Sequence, residues 1–418
     1  MRSPLLLLLV LTPLPALAQR PNTNYDEAAV KPYTLPDLLG GARNAADWTS
    51  QRRPAIMAQF AEQVYGRIPT GRVAMRSSVT ASGETPDGMG TWRQVRLDFG
   101  AAAQPTTIPP LHVLLLLPRG KPRAPVFVTL SFTPTHTLLP DKTIPLSTRW
   151  VRGGKPSTDA DRGTAESRWP WPLILGNGFG VAVAYYGDLF EDHPEGLANS
   201  IIPGVERQLN PGLHSQRTDS SWNALGAWAW GLSRMVDFLE KEPEVDARHT
   251  VLVGHSRLGK AALWAGASDE RFAIVISNDS GEGGASLARR NFGEHVADLN
   301  KSFPHWFAAN YQKYSSDPGE MPVDQHQLLA AMAPRPVYVA SAEADQWADP
   351  RGEFMALEAA SPAYALFGVP SMQGTKWPGV NQPLIRGRQG YHVRTGKHDI
   401  NAYDWQQYIA FARRMWGE

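Results

Sequence analysis

"VLVGHSRLGKAALWAGASDE", residues 251–270, joins a β-branched apolar run to a small-residue helical pattern through Gly254, His255 and Ser256. A strand that turns at once into a helix with a serine at the corner has two readings. In one, a strained turn lifts the Ser256 hydroxyl into a cleft, as a nucleophile elbow does. In the other, Ser256 merely caps the helix. The usual elbow is G-x-S-x-G; here Leu258 holds the second glycine position and Gly259 comes one residue later. Gly259 and Ala261 are small enough to allow the close helix packing that the elbow needs.

Outward from this corner, the pattern is one of alternation. Strand signals stand at "TWRQVRLDFG" (91–100), "LHVLLLLP" (111–118), "APVFVTLSF" (124–132), "GFGVAVAYYGD" (178–188), "FAIVISND" (272–279) and "RPVYVASAEAD" (335–345). Several are continuous apolar runs, the mark of strands buried on both faces. Between them lie helical patterns. Leu225, Trp228, Leu232, Met235, Val236 and Leu239 keep helical spacing, so 221–240 is read as a core-facing helix. Residues 45–66 read as a surface helix, 349–360 as a helix, and "YALFG" (364–368) as a short strand. The Pro- and Thr-rich stretch 133–171 lacks an apolar period and reads as a long irregular surface segment. Strands alternating with helices imply an α/β fold with a mainly parallel central sheet covered on both faces. No internal repeat or change of composition divides residues 19–418, so one domain is expected.

Open parallel sheets place their sites at the carboxyl ends of strands. Ser256 follows "TVLVGH", Asp279 follows "FAIVISN", Glu343 and Asp345 follow "PVYVASA", and His398 lies in "TGKHDI" before the last helix. Serine, acid, histidine is the chain order of an α/β-hydrolase triad. A serine hydroxyl attacks only when an imidazole takes its proton, and a carboxylate must fix that imidazole's tautomer. Asp279 and Asp345 both qualify as the acid, while Asp349 before Pro350 is more simply a helix N-cap. His392 and His136 have weaker claims, and His255, next to the serine, is expected to point away from the site.

Composition narrows the class. Among 418 residues there is no Cys, and the formal net charge is +1. Disulfides, thiolate metal sites and cysteine nucleophiles are therefore excluded, and no basic run suggests nucleic acid. No HExxH is present and the histidines are scattered, so neither a catalytic metal nor a cofactor is expected. Arg2, an apolar "LLLLLVLTPLPA" and the "ALA" ending at Ala18 form a secretory signal peptide, residues 1–18. That leader points to a secreted or periplasmic protein with no membrane span. The 14 Trp suit a core and also the flat apolar faces of sugars.

"GHSRLGKAALWAGA", with "SNDSGEGGA", "FGEHVADLN", "DQWADP" and "GKHD", resembles the glucuronoyl esterases of carbohydrate esterase family 15, in their bacterial form. The resemblance runs from about Trp222 to the C-terminus. It implies a metal-free serine esterase that cleaves the ester between 4-O-methyl-glucuronic acid on xylan and alcohols of lignin. By the same resemblance Ser256 is the nucleophile, His398 the general base and Arg257 an oxyanion donor. Lys260, Glu294 and Trp347 are contacts to the uronic sugar. The physics agrees for Arg257, beside the nucleophile, and for Lys260, one turn along on the face of Ser256. Family members carry the acid either at the place of Asp279, often as Glu, or at the place of Asp345, and both stay open here. Two other functions remain: another xylan-decorating esterase, acetyl or feruloyl, and a carbohydrate-binding protein with a degenerate hydrolase fold.

Overall fold

The structure, a computed structural model, describes residues 23–100, 108–210, 212 and 214–417. The leader and its cleavage site near Ala18 lie outside the described residues. Among the described residues, ten strands form one sheet: β1 Met75–Glu84, β2 Gly90–Phe99, β3 Leu111–Pro118, β4 Ala124–Ser131, β5 Gly180–Tyr185, β6 Val245–His255, β7 Ile274–Asn278, β8 Val337–Ala342, β9 Leu384–Arg386 and β10 Gln389–Arg394. Their order is β1-β2-β3-β5-β4-β6-β7-β8-β10-β9. From β5 to β10 every neighbouring pair is parallel, and antiparallel strands extend the sheet at both ends.

Alternation along a strand separates the two cores. Val126 and Val128 of β4 face one, with Leu225, Trp228 and Trp264, while Phe127 between them faces the other, with Trp169, Trp171 and Trp405. Helices Ala224–Leu239 and Arg257–Ser268 cover the first face; Trp171–Gly176 and Ala402–Trp416 cover the second. This is the expected α/β-hydrolase architecture, with the parallel strands buried on both sides, β6 from Thr250 onward. Among the described residues, no helix is long and apolar enough to cross a membrane.

Three elements differ from the sequence reading. Residues 364–368 are not a strand: Ser361–Ala365 is a helix, and Ala363 and Tyr364 are buried in the core. The stretch 133–171 is irregular and exposed or half-buried over most of 140–168, as a surface segment should be, but its two ends and Ile144 reach the core. Leu138, Leu139, Ile144 and Trp169 are buried against the second face, and Arg162 donates to the carbonyls of Asp141 and Ile144 at 2.7 Å. Its apolar residues lack a period because its backbone is a chain of single turns. Finally, β10 is fully buried although it carries Gln389, His392 and Arg394, each held by buried polar partners.

Candidate active site

The corner at Ser256 is strained. Its φ is 57° and ψ −132°, a conformation that L-residues avoid and that costs on the order of 1–3 kcal/mol. Two glycines permit it. A Cβ on Gly254 would lie 2.1 Å from the Leu258 carbonyl oxygen, and one on Gly259 would press on the Gly254 carbonyl oxygen and on Ser280 at 3.0 Å. The shifted glycine thus does the packing work expected of it. The Ser256 N–H donates to the Asn278 carbonyl, tying the elbow to the next strand.

His398 comes from the loop between β10 and the last helix. Its Nε2 lies 2.9 Å from Ser256 Oγ, and its Nδ1 lies 2.5 Å from Asp345 Oδ2. Serine, imidazole and carboxylate are therefore in one hydrogen-bonded line, from the ends of β6, β10 and β8. Asp279 stands nearby, its ligand atoms within 4.8 Å of those of Asp345 and His398. Among the described residues its side chain makes no hydrogen bond, and it is paired with Arg394, whose Nη2 lies 3.5 Å away. Burial pushes the Asp279 carboxyl well above the usual range, and the charges of Asp345 and Glu353 push the same way. Of the two acids left open by sequence, Asp345 is the one bonded to the imidazole. Asp349 caps the following helix through the Gly352 N–H, 2.9 Å away, as expected.

Arg257 lies beside the serine, and its Nη1 pairs with buried Asp192. Its guanidinium packs 4.7 Å from the ring centre of Trp306 and 5.1 Å from that of Phe303, within reach of cation–π attraction. Asp192 also accepts from Trp306 Nε1 at 2.7 Å and meets His305 Nε2 at 2.9 Å. Burial alone would raise the Asp192 pKa, but these donors and the Arg257 charge bring it down to about 2. Arg257 is thus clamped by an anion below and aromatic faces beside it, while its Nε–H has no partner among the described residues.

Lys260 is buried, and its ammonium donates to the carbonyls of Ser280, at 2.7 Å, and Glu282. Its third neighbour is Glu294, at the looser distance of 3.6 Å. Burial pushes its pKa down, against the nearby carboxylates. The Glu294 N–H donates to the Trp347 carbonyl at 2.8 Å, so the two segments are stitched together beside the acid loop. Gly293, at φ 67°, allows this, since a Cβ there would sit 2.5 Å from the Trp347 oxygen. His255 departs from expectation. Its ring centre lies 4.6 Å from that of His398, and its Nδ1 is held by Asn278 Oδ1 at 2.6 Å. Burial, together with the neighbouring His398 and Arg168, keeps His255 neutral by lowering its pKa well below the usual value. His136 and His392 are buried elsewhere, the latter between Tyr338 and Asp404.

Sequence reasoning missed Asp192, Phe303 and Trp306, which stand in loops without a recognisable motif.

A glucuronoyl esterase from Solibacter usitatus is 42% identical to this chain, with a TM-score of 0.87 over 94% of this chain and 100% of its own. A promiscuous family 15 esterase from a marine bacterial metagenome is 38% identical, with a TM-score of 0.86 over the same shares. The chain belongs to carbohydrate esterase family 15. The family profile "Glucuronyl esterase, fungi" matches residues 213–368. A 4-O-methyl-glucuronoyl methylesterase from Wolfiporia cocos is 32% identical over 49% of this chain and 52% of its own. The family 15 protein described here is a carboxylic ester hydrolase.

Proposed function

We propose that this esterase cleaves the bond between a (4-O-methyl-)glucuronic acid group of glucuronoxylan and an alcohol of lignin, through an acyl-enzyme on Ser256. The observation that carries the chemistry is the line Ser256 Oγ–His398 Nε2–Asp345, at 2.9 and 2.5 Å. Ser256 attacks the uronic carbonyl while His398 takes its proton, and Asp345 stabilises the imidazolium. The oxyanion meets the Arg257 backbone N–H at the helix start, with the Arg257 guanidinium beside it. His398 then protonates the departing alcohol, and water repeats the sequence to release the acid.

The sugar side is the cluster of Lys260, Glu294 and Trp347. The ammonium is already committed to two carbonyls, so a sugar hydroxyl takes the loose third place beside Glu294. An acetyl ester would leave this buried charge pair without a ligand. Benzyl glucuronate against benzyl acetate tests the acid, because the leaving alcohol is the same. A kcat/KM at least about tenfold higher for the glucuronate is expected from the extra polar contacts. Equal values would sink the uronic reading in favour of a general esterase. We further propose export after cleavage at Ala18; N-terminal sequencing of protein recovered outside the cytoplasm should begin at Gln19.

A further inference from the structure

Residues 24–29 stand far from Ser256 in sequence, yet this strap is bonded to both segments that carry sugar contacts. The Asn24 carbonyl accepts from the Gly293 N–H at 2.9 Å, and Asn24 Nδ2 donates to the Asn291 carbonyl at 2.7 Å. Tyr25 meets Phe292 edge to face, with ring centres 6.2 Å apart. Glu27, in a single turn capped by Asp26, pairs with Arg290 through one oxygen and with Arg351 at 3.1 Å through the other. Arg290 is buried, and its Nε reaches the two oxygens of Asp349 at 2.9 and 3.2 Å. The strap thus grips the loop 290–294 directly and, by way of Arg290, the far end of the turn 345–349.

The two ends of that turn are held differently. At its start Asp345 is bonded to His398 at 2.5 Å. The N–H groups of Glu343, Ala344 and Asp345 also donate to the carbonyls of Arg394, Gly396 and Ala342. At the other end Asp349 has a φ of 53°, in the left-handed region that a residue with a Cβ keeps only when its surroundings hold it there. Its carboxylate is bonded to the Gly352 N–H and to the Arg290 guanidinium. Trp347 lies between these ends, and its carbonyl accepts from the Glu294 N–H. Two consecutive N–H groups, of Gly293 and Glu294, therefore tie the loop to the strap on one side and to Trp347 on the other. The triad end has backbone bonds of its own, whereas the sugar end leans on the strap.

We propose that Glu27, with Asn24 beside it, is a positioning residue for the uronic half of the ester. It touches no substrate; through Arg290 it sets where Glu294 and Trp347 stand. The assignment rests on the glucuronoyl reading of those two residues. Without the Glu27 carboxylate, Arg290 keeps Asp349 but loses its fixed point outside the site, and the loop and the turn can shift together. A sugar held by both then binds less well, while an ester with no sugar is cleaved as before.

The test uses the full-length enzyme, with benzyl glucuronate and benzyl acetate as substrates. In Glu27→Ala the KM for benzyl glucuronate should rise about tenfold, with its kcat and the kcat/KM for benzyl acetate held within about twofold. Asn24→Ala, which leaves every ion pair in place, should raise the same KM by about threefold, and it decides the matter if Glu27→Ala does not fold. Hydrogen exchange should quicken in Glu27→Ala over 290–294 and 346–349 and stay unchanged at the elbow, 254–259. A folded variant with an unchanged KM for the glucuronate overturns the proposal. So does an equal loss on both esters, which is what a merely structural role would give. If the wild type prefers neither ester, the glucuronoyl reading fails by itself. Faster exchange confined to the two segments would then still support the strap as their brace, and unchanged exchange would refute it.

Discussion

Asp345 and Asp279 pose the sharpest question at the scale of single residues, because both stand close to His398 and one is bonded to it. Burial first and the Asp345 charge second push the Asp279 carboxyl toward its protonated form. A neutral acid is nearly isosteric with an amide, so Asp279→Asn alone should lower kcat by less than about tenfold. Asp345→Asn removes the partner of Nδ1, and a tautomer-fixing acid is worth up to about 10⁴ in kcat. It also removes the charge that helps keep Asp279 neutral. Asp279, freed to ionise, then covers part of the loss, and the double mutant should fall below the product of the single effects. A double mutant equal to Asp345→Asn would make Asp279 purely structural. Ser256→Ala and His398→Ala, folded by circular dichroism, should each remove ester turnover, leaving about 10³–10⁴-fold over water.

One side chain organises the loop that carries the base. Arg394, at the end of β10, grips Asp404 with its Nε at 2.9 and 3.0 Å. Its other nitrogens donate to the carbonyls of Thr395 and Lys397 at 3.2 Å, and to Asp399. These carbonyls flank His398 on both sides. Arg394→Met should therefore lower kcat by about 10²-fold, the cost of a small misplacement, with little change in KM. Taking the guanidinium from buried Asp404, which keeps His392 and the Asn401 N–H, should also cost up to about 3–5 kcal/mol in urea unfolding. A variant with normal kcat would remove Arg394 from the positioning of His398. The same strand shows where sequence stops being legible. β3 to β8 are visible as apolar runs because both faces are buried in hydrocarbon. β10 is just as buried, yet it is spelled with Gln389, His392 and Arg394, whose partners lie on other elements. β1 is a half-exposed end strand with no buried residue to set an alternation. Ser256, His398 and the two acids were legible because strand ends are where such sheets put chemistry. The Arg257 clamp was not: Asp192, Phe303 and Trp306 come together only through folding, from two loops far apart in the chain.

Taken over the whole molecule, the buried ionisable groups pull stability in opposite directions as pH changes. Asp192, held near 2, contributes stability that is present above the ordinary carboxylate pKa and lost as pH falls toward 2. Buried His255, His392, His326 and His136 have lowered pKa values, dominated by desolvation. Unfolding lets them take protons below their ordinary pKa, so they erode stability as pH drops below about 6.5. Glu353 acts in the other sense. Burial raises its pKa to about 8, although Ser341 Oγ at 2.6 Å and the N–H groups of Ser280 and Gly281 at 2.9 Å favour its ionised form. The folded state then holds a proton that the unfolded chain has released above pH 4–5. Its contribution is complete at low pH and is lost as pH rises through about 8. The histidines no longer oppose it above about 6.5, so stability should peak near pH 6 and decline toward pH 8. One such group gives a slope of up to about 1.4 kcal/mol per pH unit. Glu353→Gln keeps an acceptor for both N–H groups and a donor for Ser341, and it cannot ionise. Its thermal midpoint should fall less between pH 6.5 and 8 than that of the wild type. Parallel curves over that interval would mean that Glu353 is already ionised in the folded protein, held by those three donors against its burial.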